Sequence, residues 1–260
     1  MMNLFDAWWA AIQERAVAGT LNFWENLYKE IYLNLITDGR YMNYLRGLRV
    51  TIIVSILATI FGFTLGAALA LARLSNARIG RFRYLSWIAG KYINIIRGTP
   101  MLLQLLIINF GIFGSIKLDK IFIGVIACGL NSAAYIAEII RGGILAVDRG
   151  QVEAGRSLGL TRAMAMQLII FPQAMKAALP SLCNEFITLI KETSILAYIA
   201  LTELTKAADY IRSRTYSPFM PYIISGLMYL AVVTALTKGT NALERRLRQG
   251  DTSARADQVV

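Results

Sequence analysis

The sequence predicts an all-α membrane protein: a polytopic bundle of five transmembrane helices preceded by interfacial amphipathic helices. Three observations carry that expectation. Hydrophobic residues make up 56% of the 260, above the roughly 45–50% of soluble domains. Charged residues are 17%, below the roughly 25% usual there, and they gather between apolar runs. One run, Thr51–Ala72, carries no charge over 22 residues, enough for a helical crossing of about 30 Å of hydrocarbon.

The elements follow in order. Residues 1–42 interleave Trp8, Trp9, Phe23, Trp24, Tyr28 and Tyr32 with charges. No stretch there is long and apolar enough to span. The region is expected as one or two amphipathic helices at the membrane interface, where Trp and Tyr prefer to sit; a soluble helical hairpin is the alternative. The first span, about 50–72, places Gly62 and Gly66 on a small-xxx-small face suited to close packing. "RLSNARIGRFR" (Arg73–Arg83) then supplies four arginines and no acid. The second span, about 84–113, is cut by Arg97-Gly98-Thr99-Pro100. The third, about 121–147, carries Glu138 and Arg141. A polar segment, 148–168, precedes the fourth, about 169–199, itself broken by Pro172, Pro180 and Lys191–Ser194. The fifth covers about 218–240, and residues 249–260 form a polar tail.

Lys and Arg mark cytoplasmic loops. Segment 73–83 and Arg245, Arg246 and Arg248 are therefore expected inside. Residues 1–40 set Arg15, Lys29 and Arg40 against five acids and are expected outside. Five crossings satisfy both, with the N-terminus out, the C-terminus in and 148–168 in the cytoplasm. Arg46, Arg49, Arg212 and Arg214 fall on the outer side, against the rule. No cleavable signal peptide is expected.

Composition also narrows the chemistry. There is no histidine, which removes the commonest general base and metal ligand. Cys128 and Cys183 each sit alone in apolar runs and read as small hydrophobes, not a disulfide or metal pair. The acids are isolated, so no catalytic constellation converges and no metal or other cofactor is expected. The net charge of +11 fits cytoplasmic loops of a membrane chain better than nucleic-acid binding.

The stretch "VEAGRSLGLTRAMAMQLIIFPQA" (Val152–Ala174) is the least membrane-like part of the interior. Gly150–Ser157 nearly matches the phosphate loop G-x-x-x-x-G-K-[ST], but Arg156 replaces the lysine and no strand precedes it, as that loop requires. A short helix fits better. Glu153 near its start suits the helix dipole. Gly155 and Gly159 are expected to leave a bare face for close approach by a partner, with Leu158 and Leu160 as apolar contacts. Pro172 is expected to bend the chain back into the membrane.

Glu153-Ala154-Gly155, then Gly159, Ile169 and Phe171-Pro172, resemble the EAA loop of ABC-importer permeases. Gly155 stands where the second alanine falls, and Phe171 where leucine falls. "YINIIRGTPMLLQLLIINFG" (Tyr92–Gly111), Leu130–Leu160 and "LPSLCNEFITLIKETSIL" (Leu179–Leu196) are similar to permeases of polar amino-acid importers of the histidine/glutamine/arginine family. The resemblance covers about residues 43–248 and implies a type I importer fold. It further implies a dimer with a second copy or sister permease in a bacterial cytoplasmic membrane, and an external solute-binding protein delivering the amino acid. Cytoplasmic ABC ATPase subunits would dock on Glu153, Ala154, Gly155, Leu158, Gly159 and Pro172. A secondary transporter or channel is the alternative, although no internal repeat is visible.

Polar groups at membrane depth are expensive and point to function. Glu138 and Arg141, three apart on a helix, either pair or leave Glu138 facing a substrate ammonium, with Asn131 on a similar face. The break at Arg97, Thr99 and Pro100 frees N–H groups ahead of Met101–Leu106, which suits an amino-acid carboxylate; Arg97 could instead snorkel to the membrane edge. Gln104 is expected to face the same path. Glu185 and Lys191-Glu192 are open between gate and interface roles.

Overall fold

The computed structural model describes residues 4–75 and 83–256, with side chains from 8 to 247. Arg78, Arg81 and the last four residues of the polar tail lie outside the described residues. The described chain is helical and holds no strand. Its helices are α1 (Leu4–Val17), α2 (Phe23–Ile31), α3 (Tyr41–Leu74), α4 (Tyr84–Arg97), α5 (Met101–Leu106), α6 (Lys120–Ala146), α7 (Arg149–Ser157), α8 (Arg162–Ala165), α9 (Phe171–Glu192), α10 (Leu204–Thr215) and α11 (Met220–Ala256). Wide π-type turns follow α2 and α5 and precede α9, at Tyr32–Ile36, Ile107–Ile112 and Met166–Ile170.

Three of these helices, Tyr41–Leu74, Lys120–Ala146 and Met220–Leu247, are long and apolar enough to cross a membrane, or up to four if α4 and the helix from Met101 to Ile112 count as one. The second span expected over 84–113, cut at Arg97–Pro100, is a bent pair of helices with an angle of 105° at the break. Pro100 lacks an N–H and disfavours helix for Thr99, so α4 stops at Arg97 and α5 restarts at Met101. The fourth apolar region forms α9, which runs through Pro180 and carries Lys176, Glu185, Lys191 and Glu192.

The chain divides into two compact units. The first comprises Met1–Val50 and Thr202–Leu230. Here Asn22 caps α2: its Oδ1 accepts from the Glu25 N–H at 2.8 Å, and Glu25 accepts in return from the Asn22 N–H at 3.1 Å. The N-terminal helices fold onto each other as a hairpin, with Trp8 edge-on to Tyr28 at 4.7 Å and Arg15 paired to Glu25 at 2.7 Å. Tyr44, Leu204, Ala208 and Ile211 form the buried core of this unit. Gly47 makes it possible, because a methyl there would lie 2.9 Å from the Glu203 carbonyl oxygen and Leu204 Cα.

The second unit comprises Thr51–Leu201 and Ala231–Val260. Its centre is α6, whose Ala134, Ile136, Ala137, Ile140 and Ile144 pack with Ala70, Ile93, Ile170 and Ala174 of α3, α4, the π-turn and α9. In lipid, helix association depends on close packing, so small residues mark the contacts. Gly62 and Gly66 do so on α3: methyls there would approach the Gly129 carbonyl oxygen at 3.1 Å and Ile136 Cγ2 at 2.8 Å. Gly143 does so between α6 and α9, where a methyl would meet the Ala174 carbonyl oxygen at 2.7 Å.

Candidate functional site

Two groups of residues in the second unit carry the functional reading. The first lies along one stripe of α6. Asn131, Tyr135 and Glu138 are spaced i, i+4, i+7, so they share a face. Opposite stands the break between α4 and α5. The Thr99 hydroxyl donates to the Ile95 carbonyl at 2.8 Å, closing the end of α4. The Gln104 amide folds back beneath it, donating to the Ile96 carbonyl at 2.8 Å and to Thr99 Oγ1 at 2.8 Å. Its Oε1 accepts from Asn131 Nδ2 at 3.0 Å. Asn131 is buried, and a buried amide without a partner is costly, so this bond ties α5 to α6. The Arg97 guanidinium lies over the Tyr135 ring, 5.3 Å from its centroid.

Glu138 and Arg141 pair with each other, with contacts of 2.6, 3.1 and 3.2 Å. The pairing alternative is thus the one that forms. The pair remains partly open, with side chains 23% and 33% exposed respectively, and Arg97 and Arg73 lie within electrostatic reach of the carboxylate. Glu185 accepts from Ser132 Oγ at 2.8 Å, beside Asn131 in sequence. The structure therefore brings Thr99, Gln104 and Asn131 into one hydrogen-bonded chain. It keeps Glu138 with Arg141 and Glu185 with Ser132. Pro100 and Arg97 are exposed at the break. Sequence reasoning missed Tyr135 and Ser132. Tyr135 could have been found, being four residues from Asn131 and three from Glu138.

The second group is the segment between α6 and α9. Asp148, not Glu153, caps α7, accepting from the Gly150 N–H at 2.6 Å. Glu153 sits mid-helix, exposed with Ala154, so the dipole argument belongs to Asp148. The two glycines also differ from expectation. Gly155 is not bare but buried: a methyl there would lie 2.7 Å from Ile169 Cδ1 and 3.5 Å from Leu160 Cδ1. Its close approach is to the chain's own π-turn. Gly159 has φ +86° with nothing within 4 Å of a methyl placed there. It is the left-handed residue that closes α7. Its N–H reaches the Arg156 carbonyl at 3.0 Å, and the Leu160 N–H reaches the Gly155 carbonyl at 3.1 Å, the two bonds of a Schellman cap. Leu158 is left 84% exposed at the tip.

Pro172 lies within a continuous helical run, and the non-helical turn falls before it, at residues 158–161. Thr161 caps a new helix start, accepting from the Met164 N–H at 3.2 Å, and the chain stays helical from Arg162 to Glu192. Pro172 falls in the first turn of α9. Its missing N–H would break the α-helical ladder, and the π-turn at Met166–Ile170 sits where that bond is lost.

Membrane-crossing helices, a polar stripe within them and an exposed capped knob between two of them define a polytopic membrane transport component. A family model described as the inner membrane component of binding-protein-dependent transport systems matches residues 62–249, and the chain belongs to that family. It is 40% identical over 209 residues to the arginine transport system permease protein ArtQ of Bacillus subtilis, covering 80% of this chain and 93% of that one. It is 38% identical over 207 residues to a probable glutamine ABC transporter permease protein, GlnM, of the same species, covering 79% and 94%. Among solved structures, an amino acid ABC transporter crystallised with histidines matches with TM-score 0.73 and 43% identity, covering 79% of this chain and 94% of that one. The MetNI methionine ABC transporter matches at TM-score 0.68 and 17% identity, over 82% and 99%, which shows the shared fold.

Proposed function

We propose that this chain is the transmembrane subunit of an ATP-binding-cassette importer that carries a polar amino acid inward by alternating access. ATP hydrolysis belongs to separate cytoplasmic ATPase subunits, and an external solute-binding protein supplies the amino acid. The subunit works as a dimer, with a second copy or a sister permease, in a bacterial cytoplasmic membrane. Five crossings, with the N-terminus outside and residues 148–168 and the C-terminus inside, fit the arginines at 73–83 and 245–248. The exposed Phe23 and Trp24 of α2, 72% and 73% accessible, suit the outer lipid interface.

The observation that carries the reading is the α7 knob. Glu153, Ala154, Leu158 and Gly159 face outward, while Gly155 fastens the helix to Ile169. A force on the exposed side is passed to the π-turn and so to α9, which packs on α6. On α6 that movement reaches Asn131, Tyr135 and Glu138, opposite Arg97, Thr99, Pro100 and Gln104. The amides and Arg97 suit a substrate carboxylate. Glu138 can meet an ammonium group only by loosening its pair with Arg141. Glu185 fastens the neighbouring face of α9 to Ser132.

Copurification with its partner ATPase subunit tests the reading. Glu153→Lys should lower ATPase association and amino-acid uptake into liposomes by about tenfold or more, the usual effect of a reversed charge at a docked helix. Association and uptake at wild-type levels would refute the docking role.

A further inference from the structure

Arg46, Arg49, Arg212 and Arg214, the cations that run against the positive-inside rule, all lie in the first unit. Within it, segments 41–50 and 202–215 carry five cations against two carboxylates. Gly47 lets α3 and α10 meet closely, since a methyl there would lie 2.9 Å from the Glu203 carbonyl oxygen. Beside that contact, Asn43 and Arg46 of α3, Lys206, Ala207 and Tyr210 of α10, and Thr202 line a cleft of about 370 Å³. That volume falls within the roughly 300–1,000 Å³ of small-ligand sites. Every lining side chain except that of Ala207 carries a hydrogen-bond donor. The two acids are already engaged. Glu203 is fully buried and accepts from the Thr205 and Lys206 N–H groups at 2.8 and 2.7 Å and from the Tyr229 hydroxyl at 2.8 Å. Asp209 is shared between Lys206 at 2.8 Å and Arg212 at 2.9 Å. Arg46 and Arg49 are exposed. Among the described residues no carboxylate pairs with either, and the Asn43 side chain has no hydrogen-bond partner. Arg214 lies over the Tyr210 ring at 4.4 Å, a further cation at the rim.

The cleft sits at the end of a membrane-crossing helix. α3 begins at Tyr41 and runs for 34 residues, about 51 Å, well beyond the roughly 30 Å of hydrocarbon. Its charge-free stretch starts only at Val50, so Asn43 and Arg46, in the first two turns, stand at headgroup depth. Tyr41, Met42 and Leu45 flank them, exposed, as side chains at a lipid interface are. We propose that this cleft binds the phosphodiester headgroup of an anionic phospholipid, whose acyl chains stay in the bilayer beside α3. Cations left unpaired at a membrane edge need a counter-charge, and anionic lipid supplies it. A phosphodiester only accepts hydrogen bonds, and here it meets the donors of Asn43, Arg46, Thr202 and Lys206. Arg46 is the anchor, because a guanidinium matches two phosphate oxygens at once. A zwitterionic headgroup would bring its own ammonium among the arginines, so phosphatidylglycerol is favoured over phosphatidylcholine. The assignment rests on α3 crossing the membrane, in keeping with an inner membrane component, and not on the solute carried or the direction of transport.

The test uses the assembled transporter in detergent, titrated with phosphatidylglycerol or phosphatidylcholine, with bound lipid counted by native mass spectrometry. The wild type should bind phosphatidylglycerol at least about fivefold tighter than phosphatidylcholine. Arg46→Gln should weaken phosphatidylglycerol binding about fivefold, while Arg46→Lys, which keeps the charge, should stay within about threefold. Asn43→Ala changes no charge, yet should also weaken it about fivefold, the loss of one hydrogen bond to a charged group. All three variants should melt with the wild type in phosphatidylcholine, because neither side chain has a protein partner to lose; the losses then report binding and not folding. Millimolar inorganic phosphate should leave the lipid bound, since the chains add affinity that a free anion lacks. Displacement by phosphate would make the cleft a free-anion site and overturn the lipid assignment. Equal affinity of the wild type for the two lipids would overturn it as well. So would wild-type binding by Arg46→Gln, or by Asn43→Ala, which would leave only diffuse surface charge.

Discussion

Gly159 separates two physical explanations of the same residue. If the coupling knob needs glycine so that a partner can approach, side-chain size decides, and alanine should be tolerated better than asparagine. If it needs glycine for backbone conformation, asparagine should be better, because it tolerates the left-handed region while alanine does not. The structure favours the second. At Gly159 φ is +86°, and a methyl would meet nothing within 4 Å. The cost of Gly159→Ala is therefore conformational, about 1–2 kcal/mol. If docking requires the closed Schellman end, the competent fraction falls about five- to thirtyfold. Gly159→Asn should lose only a few-fold on the same ground. The assay is ATPase association, measured as a dissociation constant in detergent, with coupled uptake as second readout. The order Gly, then Asn, then Ala is expected; the order Gly, then Ala, then Asn would refute the conformational account.

Adjacent glycines on α6 give an internal control. Gly143→Ala drives a methyl to 2.7 Å from the Ala174 carbonyl oxygen, whereas at Gly142 nothing lies within 4 Å, so thermal unfolding in detergent should show Gly143→Ala losing about 1–3 kcal/mol and Gly142→Ala none; equal effects would sink the packing argument. Gln104→Leu orphans the buried Asn131 amide, costing about 1–3 kcal/mol; transport should fall with it, and Gln104→Glu, which keeps the acceptor, should retain more of both, unless the amide chain is irrelevant to transport. Hydrogen bonds from Lys206, then Arg212, hold Asp209 down at about 2, so its contribution is present above the usual aspartate range and lost as pH falls toward 2. Burial, the larger influence, pushes Glu203 up, so its contribution is greatest below the usual carboxylate range and fades as pH rises through the raised value; a stability profile against pH should lose its acid limb in Asp209→Asn and flatten on the other side in Glu203→Gln, and unchanged profiles would contradict both assignments.

Why some of this was legible and some was not follows from where each property resides. The span at Thr51–Ala72 is a property of composition, and Gly62 and Gly66 advertise their packing by spacing alone. The break at Arg97–Pro100 was visible in Gly and Pro, but its 105° angle depends on what α5 packs against, which no local signal contains. Asn131 and Gln104 lie 27 residues apart; each was marked as polar in an apolar run, yet their bond exists only once α5 and α6 meet. Tyr135 was hidden because an aromatic in an apolar helix ordinarily reads as core.

The glycines of α7 teach the sharper lesson. Gly155 and Gly159 sit four apart and look alike in sequence, one turn of helix on a single face. In three dimensions one is a contact and the other a conformation. Gly155 receives Ile169, and so makes α7 one body with the turn before α9. Gly159 reverses the chain and so fixes where α7 ends and what it exposes. Under the proposed docking of an ATPase on α7, the first would transmit force and the second would shape the end on which force is applied. A lever of this kind has to be stiff along its length. Under the proposed coupling, the close approach of Gly143 to Ala174 would supply that stiffness where α9 meets α6, and the polar stripe of α6 would stand at the receiving end.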